Sequence, residues 1–118
     1  LLRRERVDKM IQDNQIEIVP ISYMRGRTFL NSCVIVDECQ NLDNQQTFML
    51  LQRIGRGSRM MFCGDSDQID LKKRLDSGLA FLSSITDVEG LHTIRLESNH
   101  RHPILDDLIP KYQQKGIS

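Results

Sequence analysis

The sequence predicts part of an α/β domain in which helices flank a mostly parallel sheet. Two short apolar runs, at residues 33–36 and 60–63, show no polar alternation, which is typical of strands buried on both faces. A helix is predicted between them, because Asp43 and Gln46 have the spacing of a capping box and Gly55 follows as a stop signal. A strand, a helix and a strand in this order form a right-handed crossover, so the two strands should run parallel.

The remaining elements follow from the spacing of apolar residues and from turn signals. Ser77 can cap a helix that ends before Gly90. A last helix is expected at 104–113, and Pro110 inside it should kink or shorten it. The same reasoning predicts three further elements: a helix at 1–13 and short strands at 16–20 and 91–96.

The composition favours a folded cytoplasmic protein. Of the 118 residues, 39% are hydrophobic and 27% are charged, which is enough to form a core in one domain or part of one. Sixteen basic and sixteen acidic residues cancel, so a contact with nucleic acid must come from a local basic cluster. No apolar run approaches the roughly 20 residues of a membrane span, and no signal peptide is visible. Three residues are expected to be reduced, buried thiols: Cys33, Cys39 and Cys63.

Acidic and amide side chains follow both strands of the predicted sheet. Asp37 and Glu38 come directly after the first strand, and Asp65 and Gln68 come shortly after the second. The carboxyl ends of parallel strands meet at one edge, where open α/β sheets bind ligands. An apolar strand that ends in Asp-Glu is the Walker B pattern of nucleotide triphosphatases, in which one carboxylate holds Mg²⁺ and the other activates water. The alternative is a strand that merely ends in two solvated acids.

Gln68 and Arg101 are candidates for contacts with a γ-phosphate. An amide such as Gln68 can hold the attacking water or sense the γ-phosphate, and the alternative is an ordinary loop amide. Arg101 can reach a γ-phosphate on the same molecule or on a neighbour, as an arginine finger does. The second case implies a ring-shaped homo-oligomer. The alternative for Arg101 is a salt bridge with Asp106 or Glu97.

Two local clusters of basic residues are candidates for contact with nucleic acid. Arg25 and Arg27 flank Gly26 close to Tyr23, and guanidinium planes and tyrosine rings both suit phosphates and unstacked bases. The alternative is that these arginines pair with nearby acids. The second cluster, for which a solvated loop is the alternative, consists of Lys72, Lys73 and Arg74.

The sequence contains no phosphate-binding loop of the form G-x-x-x-x-G-K-[ST], and it begins at Leu1 without a methionine. We therefore expect an excerpt, a single partial domain over residues 1–118, whose phosphate-binding half lies upstream. Two other functions stay open. One is a non-catalytic nucleic-acid-binding or assembly module without a phosphate-binding loop. The other is a Mg²⁺-dependent nuclease, with four candidate ligands at Asp37, Glu38, Asp65 and Asp67.

Several motifs, taken together and in this order, resemble the PhoH family of ATPases, including its bacteriophage forms. The resemblance covers residues 16–112. The motifs are YMRGRT at 23–28, DECQN at 37–41, GDSDQIDL at 64–71, SGL at 77–79 and RHP at 101–103.

The PhoH family is similar to the first RecA-like core of superfamily 1 helicases. The resemblance therefore implies a three-layer RecA-like P-loop NTPase core that binds ATP and Mg²⁺ and acts on RNA or single-stranded DNA. By the same resemblance Asp37 holds Mg²⁺, Glu38 is the catalytic base and Gln68 senses the γ-phosphate. Residues 96–101 also resemble the helicase pattern L-x-x-N-x-R, whose arginine contacts the γ-phosphate. The nucleotide contacts are then expected to include Asp37, Gln40, Asp65, Gln68 and Arg101.

Overall fold

The computed structural model describes residues 3–96 and 102–117. The helices and strands of these residues are, in chain order, α1 (Arg4–Gln12), β1 (Cys33–Val36), α2 (Asn44–Leu51), β2 (Arg59–Phe62), α3 (Gly78–Ser84) and α4 (Ile104–Gln114). Short 3₁₀ helices lie between them at Ile21–Tyr23, Cys39–Asn41, Ser66–Gln68 and Leu71–Asp76. The described residues therefore form an α/β fold with a small sheet.

The sheet consists of β1 and β2, which pair in parallel as predicted. Cys33 lies opposite Arg59, and Val36 lies opposite Phe62. The pairing continues past the strand ends, because the N–H of Cys63 donates to the carbonyl of Val36 at 2.8 Å. The chain therefore leaves both strands at the same edge of the sheet.

The core of the described residues lies against one face of this sheet. Alternate strand residues, Val34 and Val36 on β1 and Met60 and Phe62 on β2, contribute to it. They pack with residues from the connecting segments and α2, including three that are almost fully enclosed: Cys39, Leu42 and Leu50.

The opposite face of the sheet is open. Ile35 and Met61 pair across the strands there, and they are 65% and 55% exposed. Cys33 lies on the same face and is exposed as well, whereas Cys39 is buried. The prediction of strands buried on both faces is wrong for the described residues, and so is the predicted burial of Cys33. The apolar composition of the strands is correct, but the core is built on one face.

Local hydrogen bonds fix the starts of α2 and α3 as predicted. At α2, the Asp43 carboxylate accepts the N–H of Gln46 at 2.7 Å, and the Gln46 side chain accepts the N–H of Asp43 at 3.0 Å. At α3, the hydroxyl of Ser77 accepts the N–H of Ala80 at 3.2 Å. The capping box and the serine cap are therefore both confirmed.

Helices α2 and α3 come into close contact through Gly78. This residue is buried at the first position of α3, where its N–H donates to the carbonyl of Leu42 at 3.2 Å. A Cβ atom at position 78 would lie only 2.6 Å from the Cβ of Thr47 on α2 and would overlap the Thr47 hydroxyl. Glycine is therefore required at this helix crossing.

Two predicted strands do not form, and Pro110 does not have one of its two expected effects. Residues 16–20 and 91–96 are not strands, because neither segment joins the ladder of β1 and β2. Alternating apolar residues suit a strand, but a strand forms only with a partner that supplies its hydrogen bonds. Helix α4 continues past Pro110 to Gln114, so Pro110 does not shorten it, and the kink expected as the alternative stays a prediction. No helix in residues 3–96 and 102–117 is long and apolar enough to cross a membrane.

Candidate functional site

The structure brings the acidic residues that follow β1 and those that follow β2 to one edge of the sheet. Asp37 and Glu38 follow β1 directly, and Asp65 follows β2 after two residues. The two segments stay hydrogen-bonded beyond the strands, because the N–H of Cys39 donates to the carbonyl of Cys63 at 2.9 Å. This edge is the carboxyl edge at which parallel sheets bind their ligands.

Asp37 presents its carboxylate to solvent at the end of β1. One of its oxygens, Oδ1, accepts the N–H of Glu38 at 2.9 Å, which fixes the orientation of the side chain. Asp37 itself is exposed. An exposed carboxylate at a strand end is the kind of ligand that Mg²⁺ takes when phosphates and waters supply its other oxygens.

Glu38 adopts a left-handed backbone conformation, with φ of 52° and ψ of 39°. This conformation costs a residue other than glycine about 1–2 kcal/mol. It turns the chain from β1 into the 3₁₀ helix Cys39–Asn41 and leaves Glu38 exposed at the edge. Strained residues of this kind are concentrated at functional sites.

Gln40 connects the end of β1 to the end of β2. Its side chain is almost fully enclosed, with 7% exposed. The amide nitrogen, Nε2, donates to the carboxylate of Glu38, and the amide oxygen accepts the N–H of Asp65 at 3.2 Å. Both halves of this amide are therefore engaged within the chain.

Gly64 makes this connection sterically feasible. A Cβ atom at position 64 would lie 2.7 Å from the Sγ of Cys39 and 2.8 Å from the amide oxygen of Gln40. Both distances are shorter than side chains tolerate, so only glycine allows the chain after β2 to approach Gln40 this closely.

Asp65 and Gln68 continue the hydrogen bonds on the β2 side. The Asp65 carboxylate accepts the N–H of Asp67 at 2.9 Å and the side-chain amide of Gln68 at 3.1 Å. A continuous chain of hydrogen bonds thus runs from Glu38 through Gln40 and Asp65 to Gln68. Gln40 and Gln68 also line a groove of about 460 Å³ between the start of α2 and the segment after β2.

The thiol of Cys39 closes the apolar floor beneath this edge. It is 1% exposed, and burial raises the pKa of the thiol, with a further contribution from the neighbouring Cys63. The thiol therefore stays neutral where it supports the turn through Glu38.

The basic residues near Tyr23 are in different surroundings from one another. Arg27 forms two hydrogen bonds with the carboxylate of Glu17, at 2.8 and 2.9 Å, and lies 5.0 Å from the ring centroid of Phe29. Hydrogen bonds from Arg27 lower the pKa of the Glu17 carboxyl. Arg25 is exposed on the neighbouring turn. The pairing of Arg27 with an acid is the alternative raised by the sequence, and its contact with nucleic acid stays a prediction.

The second basic cluster lies on the 3₁₀ helix Leu71–Asp76. Lys72, Lys73 and Arg74 are all exposed, and Lys73 lines the groove that contains Gln68. The start of this turn is fixed because the Asp70 carboxylate accepts the N–H of Lys72 at 3.0 Å. Their charges are therefore presented beside the carboxyl edge.

Arg101 lies outside the described residues, as do residues 97–100 of the L-x-x-N-x-R pattern, so its role stays a prediction. Within residues 3–96 and 102–117, no group of three or more His, Cys, Asp or Glu side chains is arranged to hold a metal ion. A metal at this edge would then depend on oxygens from a bound phosphate and from water as well as on Asp37.

These features define an α/β protein with a polar site at the carboxyl edge of a parallel sheet. The family model described as PhoH-like protein matches residues 1–113. The chain therefore belongs to the PhoH family, whose domain is P-loop NTPase-like.

Individual relatives agree with this assignment. A PhoH-like protein of Bacillus subtilis (strain 168) is 37% identical over 98% of this chain, and one of Synechocystis is 39% identical over 93%. Protein PhoH of Escherichia coli (strain K12) is 46% identical over 56% of the chain. The matched regions make up 37%, 34% and 19% of the lengths of these three relatives. The chain therefore spans about a third of the length of the first two.

Proposed function

We propose that this chain forms part of a RecA-like domain that binds and hydrolyses ATP in the whole protein, which acts on RNA or single-stranded DNA. The observation that carries the proposal is the hydrogen-bonded chain from Glu38 to Gln68 across the ends of two parallel strands. An ordinary strand end with solvated acids does not need a buried amide between them.

The residues at the edge suit Mg²⁺ bound together with a nucleotide. Asp37 would hold the ion, because its carboxylate is exposed and oriented by the N–H of Glu38. When bound, Mg²⁺ neutralises the charge that develops on the phosphates. The backbone N–H groups and lysine that cradle the phosphates would come from an upstream segment of the whole protein.

Glu38 and Gln68 would act on the attacking water. The carboxylate of Glu38 accepts the proton of the water, and its position is set by the left-handed turn and by Gln40. Gln68 orients the water or the γ-phosphate from the β2 side, and its amide is held by Asp65. The chain thus supplies a base and an amide from opposite strands of one edge.

The experiment compares the whole protein that carries this chain with its Glu38→Gln variant. We expect kcat for ATP hydrolysis to fall at least roughly 100-fold, as when a general base is lost, while the Kd for Mg²⁺-ATP changes little. Glu89→Gln is the matched control, because Glu89 is exposed in a turn outside the site. Full ATPase activity in Glu38→Gln would remove Glu38 from the mechanism and contradict the proposal.

The exposed basic residues beside the edge support the nucleic-acid part of the proposal. Lys72, Lys73 and Arg74 have their charges in solvent, and Lys73 borders the groove. A single-stranded nucleic acid bound to these three side chains would lie close to Gln68. This proximity would connect the state of the nucleotide to the bound nucleic acid.

A further inference from the structure

We propose that Gln40 is the positioning residue that holds the Glu38 carboxylate for catalysis and couples it to Gln68. This inference rests on the proposed ATPase function and assigns a role to Gln40 that differs from direct contact with the nucleotide. The basis is its enclosure, the two hydrogen bonds of its amide and the close approach of Gly64.

Glu38 needs a partner to hold its side chain in one position. It is exposed, and a free glutamate side chain samples several rotamers. The amide nitrogen of Gln40 donates to one oxygen of its carboxylate and leaves the other oxygen for a water. A catalytic base must be held within hydrogen-bond reach of its water, and Gln40 is placed to do so.

Gln40 is itself held rigidly. Its side chain is 7% exposed, its amide oxygen accepts the N–H of Asp65, and Gly64 lies against it. An amide accepts at one end and donates at the other, so only glutamine satisfies both Glu38 and the Asp65 backbone at this length. The orientation of the amide is thus set by the end of β2.

The same contacts give a route from Gln68 to Glu38. Gln68 donates to the Asp65 carboxylate, and the N–H of Asp65 donates to Gln40. If Gln68 turns to meet a γ-phosphate, its bond to Asp65 changes, and the support of Gln40 changes with it. The position of the Glu38 carboxylate is thereby coupled to the presence of a γ-phosphate.

The test is a double-mutant cycle in the whole protein. Gln40→Met keeps the length of the side chain and removes both hydrogen bonds. Loss of such a supporting contact lowers activity roughly 10- to 100-fold, so we expect kcat to fall about 10-fold with the Kd for Mg²⁺-ATP nearly unchanged. In a Glu38→Gln background the same substitution should lower kcat no further, because Gln40 acts through Glu38. Gln45→Met, at an exposed position of α2, is the matched control.

Hydrogen exchange supplies a readout that does not depend on activity. The N–H of Asp65 should exchange faster in Gln40→Met, because its acceptor is gone, and should keep its normal rate in Gln45→Met. If Gln40→Met does not fold, Gln40→Glu takes its place. That variant is isosteric, and it replaces the donor to Glu38 with a second carboxylate, so a larger fall in kcat is expected.

Three outcomes overturn the inference. The first is an unchanged kcat in Gln40→Met. The second is an equal loss in the wild-type and Glu38→Gln backgrounds, because it assigns Gln40 a role independent of Glu38. The third is unchanged exchange at Asp65. Full activity in Glu38→Gln is a separate result that contradicts the proposed function itself.

Discussion

The substitution Gly78→Ala tests the packing of α3 on α2, next to the α3 N-cap Ser77, which lines the groove. An added Cβ would lie 2.6 Å from the Cβ of Thr47 and 3.0 Å from its Cγ2, and Thr47 is only 4% exposed. The added atom would also overlap the Thr47 hydroxyl oxygen. Rotation about χ1 cannot move the Thr47 Cβ, and it would break the 2.8 Å hydrogen bond from this hydroxyl to the carbonyl of Asp43. The two helices must therefore move apart.

The expected loss of stability follows from two opposing effects. Overpacking a filled site costs about 1–3 kcal/mol. Replacing glycine by alanine within a helix stabilises the folded state by about 0.5–1 kcal/mol. Steric overlap is the larger effect, so the free energy of unfolding should fall by about 1–2 kcal/mol. With a urea dependence of about 2 kcal/mol per M, the midpoint should drop by roughly 0.5–1 M.

The assay is equilibrium urea unfolding of the whole protein, with Ser83→Ala on the exposed side of α3 as the control. The free energy of unfolding of Ser83→Ala should stay within about 0.5 kcal/mol of that of the parent protein, because surface substitutions away from special features change stability little. An unchanged or raised midpoint for Gly78→Ala would show that α3 does not approach α2 this closely and would refute the steric requirement for glycine at position 78.

Two further predictions concern single properties of the site and its surroundings. Burial holds the pKa of the Cys39 thiol above its ordinary value, so alkylation of Cys39 at pH 8 should be slower in the folded protein than in urea. The folded state should also lose stability as the pH rises above about 8.5, because only the unfolded thiol ionises there. Alkylation of folded Cys39 at the unfolded rate would contradict this. Replacing Lys72, Lys73 and Arg74 by glutamine should weaken the binding of single-stranded nucleic acid. The slope of log K against log salt concentration, measured by fluorescence anisotropy from about 50 to 200 mM salt, should fall by about 2, as expected for three lost phosphate contacts. An unchanged slope would show that the cluster touches no phosphate.

Features that depend on neighbouring residues could be predicted from the sequence. The capping box of Asp43 and Gln46 and the cap at Ser77 are formed by side chains and N–H groups three residues apart, so their spacing contains the information. The parallel pairing of β1 and β2 followed from the helix between them. The meeting of Glu38 and Gln68 at one edge followed from that pairing.

Features that depend on distant residues could not be predicted where no connection rule, such as the strand-helix-strand crossover, specifies the partner. Ile35 and Met61 have the composition of buried strand residues, but their exposure depends on which elements cover each face of the sheet. Residues 16–20 alternate like a strand, yet they remain unpaired in the ladder because their partner is not specified locally.

Gln40 shows the same limit at the site itself. Its acceptor role depends on a backbone N–H 25 residues further along the chain, which only the folded structure brings close. The one signal in the sequence was Gly64 directly before Asp65, since a glycine after a buried strand indicates a close approach of another segment. The left-handed turn at Glu38 had no signal, because glutamate does not favour that conformation.

The most direct test of the account is hydrogen exchange of the whole protein with and without Mg²⁺-ATP. A nucleotide at the carboxyl edge should slow backbone exchange at residues 37–41 and 64–69, since both segments would border it. The Glu38→Gln variant should show the same protection, because it keeps binding and loses only hydrolysis. Nucleotide binding that leaves both segments unprotected would place the site elsewhere and contradict the account.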